Sequence, residues 1–218
     1  MICGIDEAGR GPVFGPLVVA GVTVQDDAPL MQIGVRDSKQ LSPAKREQLV
    51  TEIQHLAVNS EVIVVSATDI DDLRKTMTLN ELEVSLFSKV IEKLKPDVCY
   101  VDAADVNEVR FGKNIASRLS WKPRIISEHK ADEIYPVVGA ASIIAKTTRD
   151  QHVRKIAYEL EKTLGLPLGS GYPADPITKK FLMTWVERYG DLPPHVRRSW
   201  ETAQQLMRNH KTKTLDEF

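Results

Sequence analysis

The chain has only two cysteines, few aromatic residues (6%) and no apolar run of bilayer length. Two cysteines, Cys3 and Cys99, are too few for the disulfide framework that staples small secreted domains. The longest mostly apolar stretch, Val137 to Ala145, has nine residues, against the roughly 18 that a spanning helix needs, so no membrane partner is expected. Met1 leads directly into Ile2-Cys3-Gly4-Ile5-Asp6, without a basic leader or cleavage site, and the chain is read as cytoplasmic. Net charge is also nearly missing, with 29 basic against 30 acidic residues giving −1. That balance hides an asymmetry: residues 1–109 hold 10 basic and 18 acidic residues (−8), and residues 110–218 hold 19 and 12 (+7). The mean therefore excludes neither a polyanionic partner nor a cation site.

What is present suffices for one large domain, or one with a helical extension, since 42% of 218 residues are hydrophobic. Ile2 to Asp6 and Leu17 to Val24 are short β-branched runs separated by Gly9-Arg10-Gly11-Pro12 and Gly15-Pro16, the pattern of strands joined by turns. Ser42-Pro43 reads as a helix N-cap and first position, followed by an apolar stripe through Leu49, Ile53 and Leu56. Glu61 to Ala67 reads as strand. Leu79, Leu82, Leu86, Val90 and Leu94 predict a long helix ended by Lys95-Pro96, and Asp97 to Val101 another strand. A helix over Asn107 to Leu119, a strand over Arg124 to Ser127 and a helix from Pro136 complete an alternation that predicts an α/β sheet with helices on both faces. Beyond residue 150 only helices are expected: Gln151 to Leu164, Thr178 to Tyr189 and Val196 to Arg208. The expected division is an α/β domain over 1–150, a helical region over 151–210 and a flexible tail over 211–218.

Thirty acidic residues need a rule that separates the ordinary from the chemical. Asp26, Asp27, Asp37, Asp69, Asp71 and Asp72 lie in turns or helix starts, where a carboxylate accepts backbone N–H bonds. Asp6 and Asp102 instead end hydrophobic strands, the edge at which open α/β sheets bind ligands. Asp132 follows a third such strand, and Glu7 adjoins Asp6. If the strands of Asp6 and Asp102 are parallel neighbours, the two carboxylates meet, which is costly without a cation between them. Oxygen ligands without His or Cys suit Mg²⁺ or Mn²⁺ rather than zinc. Four carboxylates can hold two such ions ~4 Å apart, one activating water and one stabilising the leaving oxygen of a phosphodiester. The competing reading is that these aspartates are caps.

Asp6-Glu7-Ala8-Gly9-Arg10-Gly11 with Gly15-Pro16, Asp37-Ser38-Lys39, Val101-Asp102, His129-Lys130-Ala131-Asp132, Ala141-Ser142-Ile143-Ile144-Ala145-Lys146 with Arg149-Asp150, and Gly169-Ser170-Gly171-Tyr172-Pro173 follow one another across residues 2–175. Together they resemble the type 2 ribonuclease H family, ribonuclease HII. Ala103-Ala104-Asp105 and Tyr172-Pro173-Ala174-Asp175-Pro176 look like its archaeal and eukaryotic branch. The extra N-terminal domain of the related type 3 enzymes is not expected.

The resemblance implies a ribonuclease H-like mixed sheet flanked by helices, with a C-terminal helical extension completing the substrate cleft. It implies an endonuclease of DNA replication and ribonucleotide excision repair. Such an enzyme cuts the RNA strand of RNA/DNA hybrids, and cuts 5′ of a lone ribonucleotide in duplex DNA, leaving 3′-hydroxyl and 5′-phosphate ends. The family's catalytic metal ligands fall on Asp6, Glu7, Asp102 and Asp132, and two Mg²⁺ or Mn²⁺ ions are expected. In the family the Gly9-Arg10-Gly11 turn presents backbone groups to the ribose 2′-hydroxyl, which glycines permit because no Cβ blocks the approach. Tyr172 is expected to stack on the next sugar and to bond that hydroxyl.

Lys39, Lys146 and Arg149 are candidate phosphate contacts, with surface charge or helix ion pairs as the alternative, most of all for Arg149 beside Asp150. Ser142 is either a site hydroxyl or a small residue that lets its helix approach the sheet. His129 and His195 match no metal spacing. Cys3 and Cys99, each three residues before an aspartate, are expected side by side on the opposite face as buried thiols. At the chain's end, Thr212 to Phe218 resembles a degenerate sliding-clamp motif carried by Leu215 and Phe218, with an ordinary tail as the alternative. A monomer is expected. The competing functions are a clamp-docked hybrid binder that does not cut, which clustered negative charge disfavours, and another ribonuclease H-like nuclease such as a resolvase.

Overall fold

A computed structural model describes residues 1–35 and 41–216. Five strands, β1 (Ile2–Ala8), β2 (Leu17–Val24), β3 (Asn59–Val65), β4 (Val98–Asp102) and β5 (Arg124–Glu128), form one sheet in the order β3-β2-β1-β4-β5. β1 runs antiparallel to β2 and parallel to β4, and β4 runs parallel to β5, so the sheet is mixed. The parallel register sets Cys3 beside Cys99 and Ile5 beside Val101. Both cysteines are free, buried thiols.

Alternation along β1 puts Gly4 and Asp6 on one face and Cys3 and Ile5 on the other. Helix α4 (Leu79–Leu94) covers the second face. Its Val90 and Leu94 would lie 2.5 and 2.8 Å from a Cβ at Gly21, the partner of Ile5. The sequence signs of α4 hold in detail: Thr78 and Glu81 form a capping box, and Lys95 ends the helix in the left-handed region before Pro96. Phe87 of α4 meets Phe111 of α5 (Glu108–Ala116) edge to face at 5.3 Å.

Helix α7 (Pro136–Leu164) covers the first face. A Cβ at Gly4 would fall 2.3 Å from the Val137 carbonyl, so the helix backbone lies directly on the strand and only glycine fits. Val137, Val138, Ile143 and Ile144 are buried there with Val18, Val22 and Ile53, each side chain contributing roughly 1.5–3 kcal/mol over its exposed state. Ile53 comes from α2 (Pro43–Leu56), capped by Ser42 as expected.

The chain divides into two compact units, but not in sequence order. One comprises Met1–Ala8, Val18–Val64 and Met77–Thr148; the other comprises Gly9–Leu17, Val65–Thr76 and Arg149–Phe218. The second unit thus takes in two segments that the expected boundary at 150 leaves with the sheet. Its core holds Phe14, Leu160, Phe181, Trp185 and Val196, with Phe14 against Phe181 at 6.1 Å. Helices α8 (Pro176–Tyr189) and α9 (Glu201–Asp216) belong to it.

Three short helices carry too little periodicity to be anticipated: α1 (Ala28–Gln32), α3 (Ala67–Leu73) and α6 (Ala131–Ile134). The helices expected from Pro136 and from Gln151 are one continuous α7. The last helix begins at Glu201 rather than Val196, because Val196 bridges Phe14 and the Arg197 N–H bonds the Val13 carbonyl. It continues to Asp216, so residues 211–216 are helical rather than tail.

Candidate active site

Three carboxylates converge because of how their elements meet. Asp6 lies two residues inside the end of β1, and Asp102 ends β4, its parallel neighbour. Asp132 sits in the first turn of α6, just after β5. Oxygens of the three lie within 4.8 Å of one another, and Asp6 and Asp132 are 5% and 3% exposed. Among the described residues, Glu7 stands outside this group of three. It follows Asp6 in β1, and its backbone N–H bonds the Asp6 carboxylate at 2.7 Å.

Burial lifts the Asp6 carboxyl to about 7, and the Asp102 charge pushes the same way. Two residues of α7 oppose this. The helix starts against Gly4, and Ser142 and Lys146 follow one and two turns later on the same side, above Asp6. The Ser142 hydroxyl bonds Asp6 and accepts from Lys146 Nζ at 2.6 Å, while Nζ lies 3.7 Å from Asp132. Ser142 is wholly buried, with its hydroxyl between Asp6 and Lys146. Lys146 pairs with the acidic group. The donor set suits a hard divalent cation: several carboxylate oxygens, no His or Cys, and repulsion that a cation would remove.

The glycine turn and Tyr172 belong to the second unit. Gly9 has φ +89°, and a Cβ there would fall 2.4 Å from the Pro16 carbonyl, so this position demands glycine. The Tyr172 ring lies 3.5 Å from where a Gly11 Cβ would sit, and Tyr172 is 40% exposed. Asp175 shapes the loop before it. Its carboxylate accepts from Ser170 N–H and hydroxyl and from Ile177 N–H, bonds that hold it down at about 2. Arg149 pairs with Asp150 at 3.1 Å, and its Nε is buried without a hydrogen bond. Lys39 and Phe218 lie outside the described residues, and Leu215 is described only as part of α9.

His195 acts through its backbone, in the left-handed region at φ 64°, with its carbonyl accepting from Gly15 N–H. The half-exposed His129 ring bonds the Val106 carbonyl at 3.2 Å. Sequence reasoning missed Arg197 and Trp200, whose partners are backbone carbonyls of the glycine turn. No spacing announces such a contact, and the helix expected over Val196 to Arg208 hid the Arg197-Arg198-Ser199-Trp200 run that in fact precedes α9.

A mixed sheet whose adjacent parallel strands bring aspartates together, with a third from the following helix, has the oxygen donor set of a divalent-cation site at the sheet's edge. The sequence profile described as Ribonuclease HII matches residues 3–203. The curated Ribonuclease HII of Methanosarcina barkeri is 50% identical over 216 residues, covering 94% of this chain and 95% of its own. The crystal structure of the ribonuclease H2 from Pyrococcus horikoshii superposes with a TM-score of 0.88 at 41% identity, covering 96% of this chain and 98% of that one. The structure of the PCNA:RNase HII complex from Archaeoglobus fulgidus gives 0.86 at 41% identity, with 100% of both chains covered. The chain belongs to the ribonuclease HII family, and is a metal-dependent ribonuclease H endonuclease.

Proposed function

We propose that this chain cuts the RNA strand of RNA/DNA hybrids and cuts 5′ of single ribonucleotides in duplex DNA, leaving 3′-hydroxyl and 5′-phosphate ends. The observation that carries the reading is the meeting of buried Asp6 and Asp132 with half-buried Asp102 within 4.8 Å in a chain of this family. Two divalent ions, Mg²⁺ or Mn²⁺, would be held by these three and Glu7, supplying an activated water and charge stabilisation for the leaving oxygen. Ser142 and Lys146 fix the Asp6 and Asp132 carboxylates in place, and Lys146 offsets their charge in the free protein.

Substrate choice falls to the Gly9-Arg10-Gly11 turn and Tyr172, which read the ribose 2′-hydroxyl, with the Tyr172 ring against the following sugar. Lys39 and Arg149 contact phosphates and position the duplex without reading bases. The same chain works as a monomer in the cytoplasm, and Leu215 and Phe218 dock on a sliding clamp. The archaeal relative solved with PCNA supports that partner.

Duplex DNA with one ribonucleotide, and an all-RNA/DNA hybrid, are each incubated with the protein in Mg²⁺ or Mn²⁺. Cleavage of both is expected, blocked by EDTA; failure on both with both metals overturns the reading. For the tail, calorimetry with the clamp is expected to show binding by the full chain and its loss in Phe218→Ala. Equal affinity would sink the docking proposal.

A further inference from the structure

Among the described residues Arg197 is the largest wholly buried side chain, at 0% exposure. Burying an ion is costly unless its hydrogen-bonding capacity is met. Here the guanidinium donates to three carbonyls of one loop: Nη2 to Gly9, Nη1 to Arg10 at 3.0 Å and Nε to Gly15 at 3.0 Å. Its carbon lies 4.7 Å from the Trp200 ring centre, and the Trp200 indole N–H reaches the Gly11 carbonyl at 3.4 Å. Burial lowers the guanidinium only to about 10, so it is charged at neutral pH. The segment is itself anchored, since Asp71 accepts the N–H groups of Arg198 and Ser199 at 2.7 and 2.9 Å.

In a trans peptide the C=O of one residue and the N–H of the next point in opposite directions. Carbonyls of Gly9 and Arg10 drawn in toward Arg197 therefore turn the N–H groups of Arg10 and Gly11 away from it. The Gly11 carbonyl, drawn to Trp200, belongs to the Gly11–Pro12 peptide, which has no N–H. The Arg10 and Gly11 N–H groups therefore point away from Arg197. A side chain that met only the charge balance of this loop would not need a donor for each successive carbonyl.

We propose that Arg197, seconded by Trp200, is a positioning residue for ribose recognition: by holding the carbonyls of Gly9, Arg10 and Gly15 it aims the turn's N–H groups at the 2′-oxygen of the cut nucleotide. The proposal rests on the reading that this turn meets the sugar. It commits to a sugar hydroxyl; a phosphate oxygen bound by the same donors is the outcome that a sugar-insensitive result would indicate.

The test compares cleavage of duplexes carrying ribose or 2′-fluoro-2′-deoxyribose at the cut nucleotide, by wild type, Arg197→Lys, Trp200→Phe and Gly11→Ala. Lysine keeps the charge but cannot bridge three carbonyls. Phenylalanine keeps the ring beneath the guanidinium and loses the indole N–H. A Gly11 Cβ makes only ordinary contact with Tyr172 while obstructing approach to the turn. Wild type is expected to prefer ribose, and Arg197→Lys to cut that preference by about tenfold or more, with a smaller loss in Trp200→Phe. A merely structural role lowers both rates together and leaves their ratio intact. If Arg197→Lys does not fold, Trp200→Phe decides. An unchanged ratio in Arg197→Lys and Trp200→Phe overturns the positioning role when Gly11→Ala does shift it; an unchanged ratio in all three overturns the sugar-reading role of the turn as well.

Discussion

The acidic edge of the sheet and the loop around Arg197 both bury charge, and they do so in opposite ways. At the sheet edge, carboxylates of one sign meet within 4.8 Å, and burial with like charge lifts Asp6 to about 7. Around Arg197 the charge is as deeply buried, yet three carbonyls and an indole ring satisfy it inside the folded unit. The first arrangement is offset only in part, by Ser142 and Lys146; the second is met by neutral carbonyls of a single loop.

The contrast breaks most visibly at Asp6 and Asp102. Asp6→Asn or Asp102→Asn is expected to slow single-turnover cleavage by ~10³-fold or more, with circular dichroism unchanged. Cleavage within tenfold of wild type would remove the acidic edge from the chemistry. Lys146 sharpens the electrostatic side of the comparison, since its charge helps hold the Asp6 pKa down. In Lys146→Met that carboxyl rises further, and Mn²⁺ binding followed by calorimetry from about pH 6 to about pH 8 is expected to begin at higher pH than in wild type. An onset at lower pH would reverse the assigned sign.

The same shift governs stability. A carboxyl raised from 3.8 to about 7 on folding favours the folded state only while protonated, so stability falls as pH rises through that window. Asp6→Asn removes the penalty. The metal-free variant is expected to melt higher than wild type near pH 8, by ~3 °C for each kcal/mol recovered, and to match it near pH 4. Asp175 tests the preorganised side with the opposite sign. Bonds from Ser170 and Ile177 hold it near 2, so its contribution is present above 3.8 and lost as pH falls to about 2. Asp175→Ala is expected to lower the melting temperature by a few degrees at neutral pH, and the difference to vanish near pH 2. A difference that grows on acidification would contradict the capping role.

The acidic edge was legible in the sequence because it follows from two local signals. Asp6 and Asp102 close hydrophobic runs, and an identical offset from Cys3 and Cys99 anticipates the parallel register that pairs those cysteines. Asp132 was picked out only by its place after a third hydrophobic strand, since α6 has four residues and no periodicity of its own. The continuity of α7 was not legible. Thr147, Thr148, Arg149 and Asp150 interrupt its apolar stripe as it leaves the buried core of one unit for that of the other. The Arg197 loop was least legible of all: its donors lie more than 180 residues from carbonyls that every amino acid possesses. Side-chain patterns report what side chains do to each other, and here the backbone was the partner.

Gly4 carries a last consequence. A methyl group there would collide at 2.3 Å with the start of α7, and α7 delivers Ser142 and Lys146 to the carboxylates. Any larger residue at position 4 therefore acts like a shim under one end of a lever, and its thickness is read out at Asp6. In a library of random variants this position would score as intolerant for reasons of alignment, although it carries no side chain of its own.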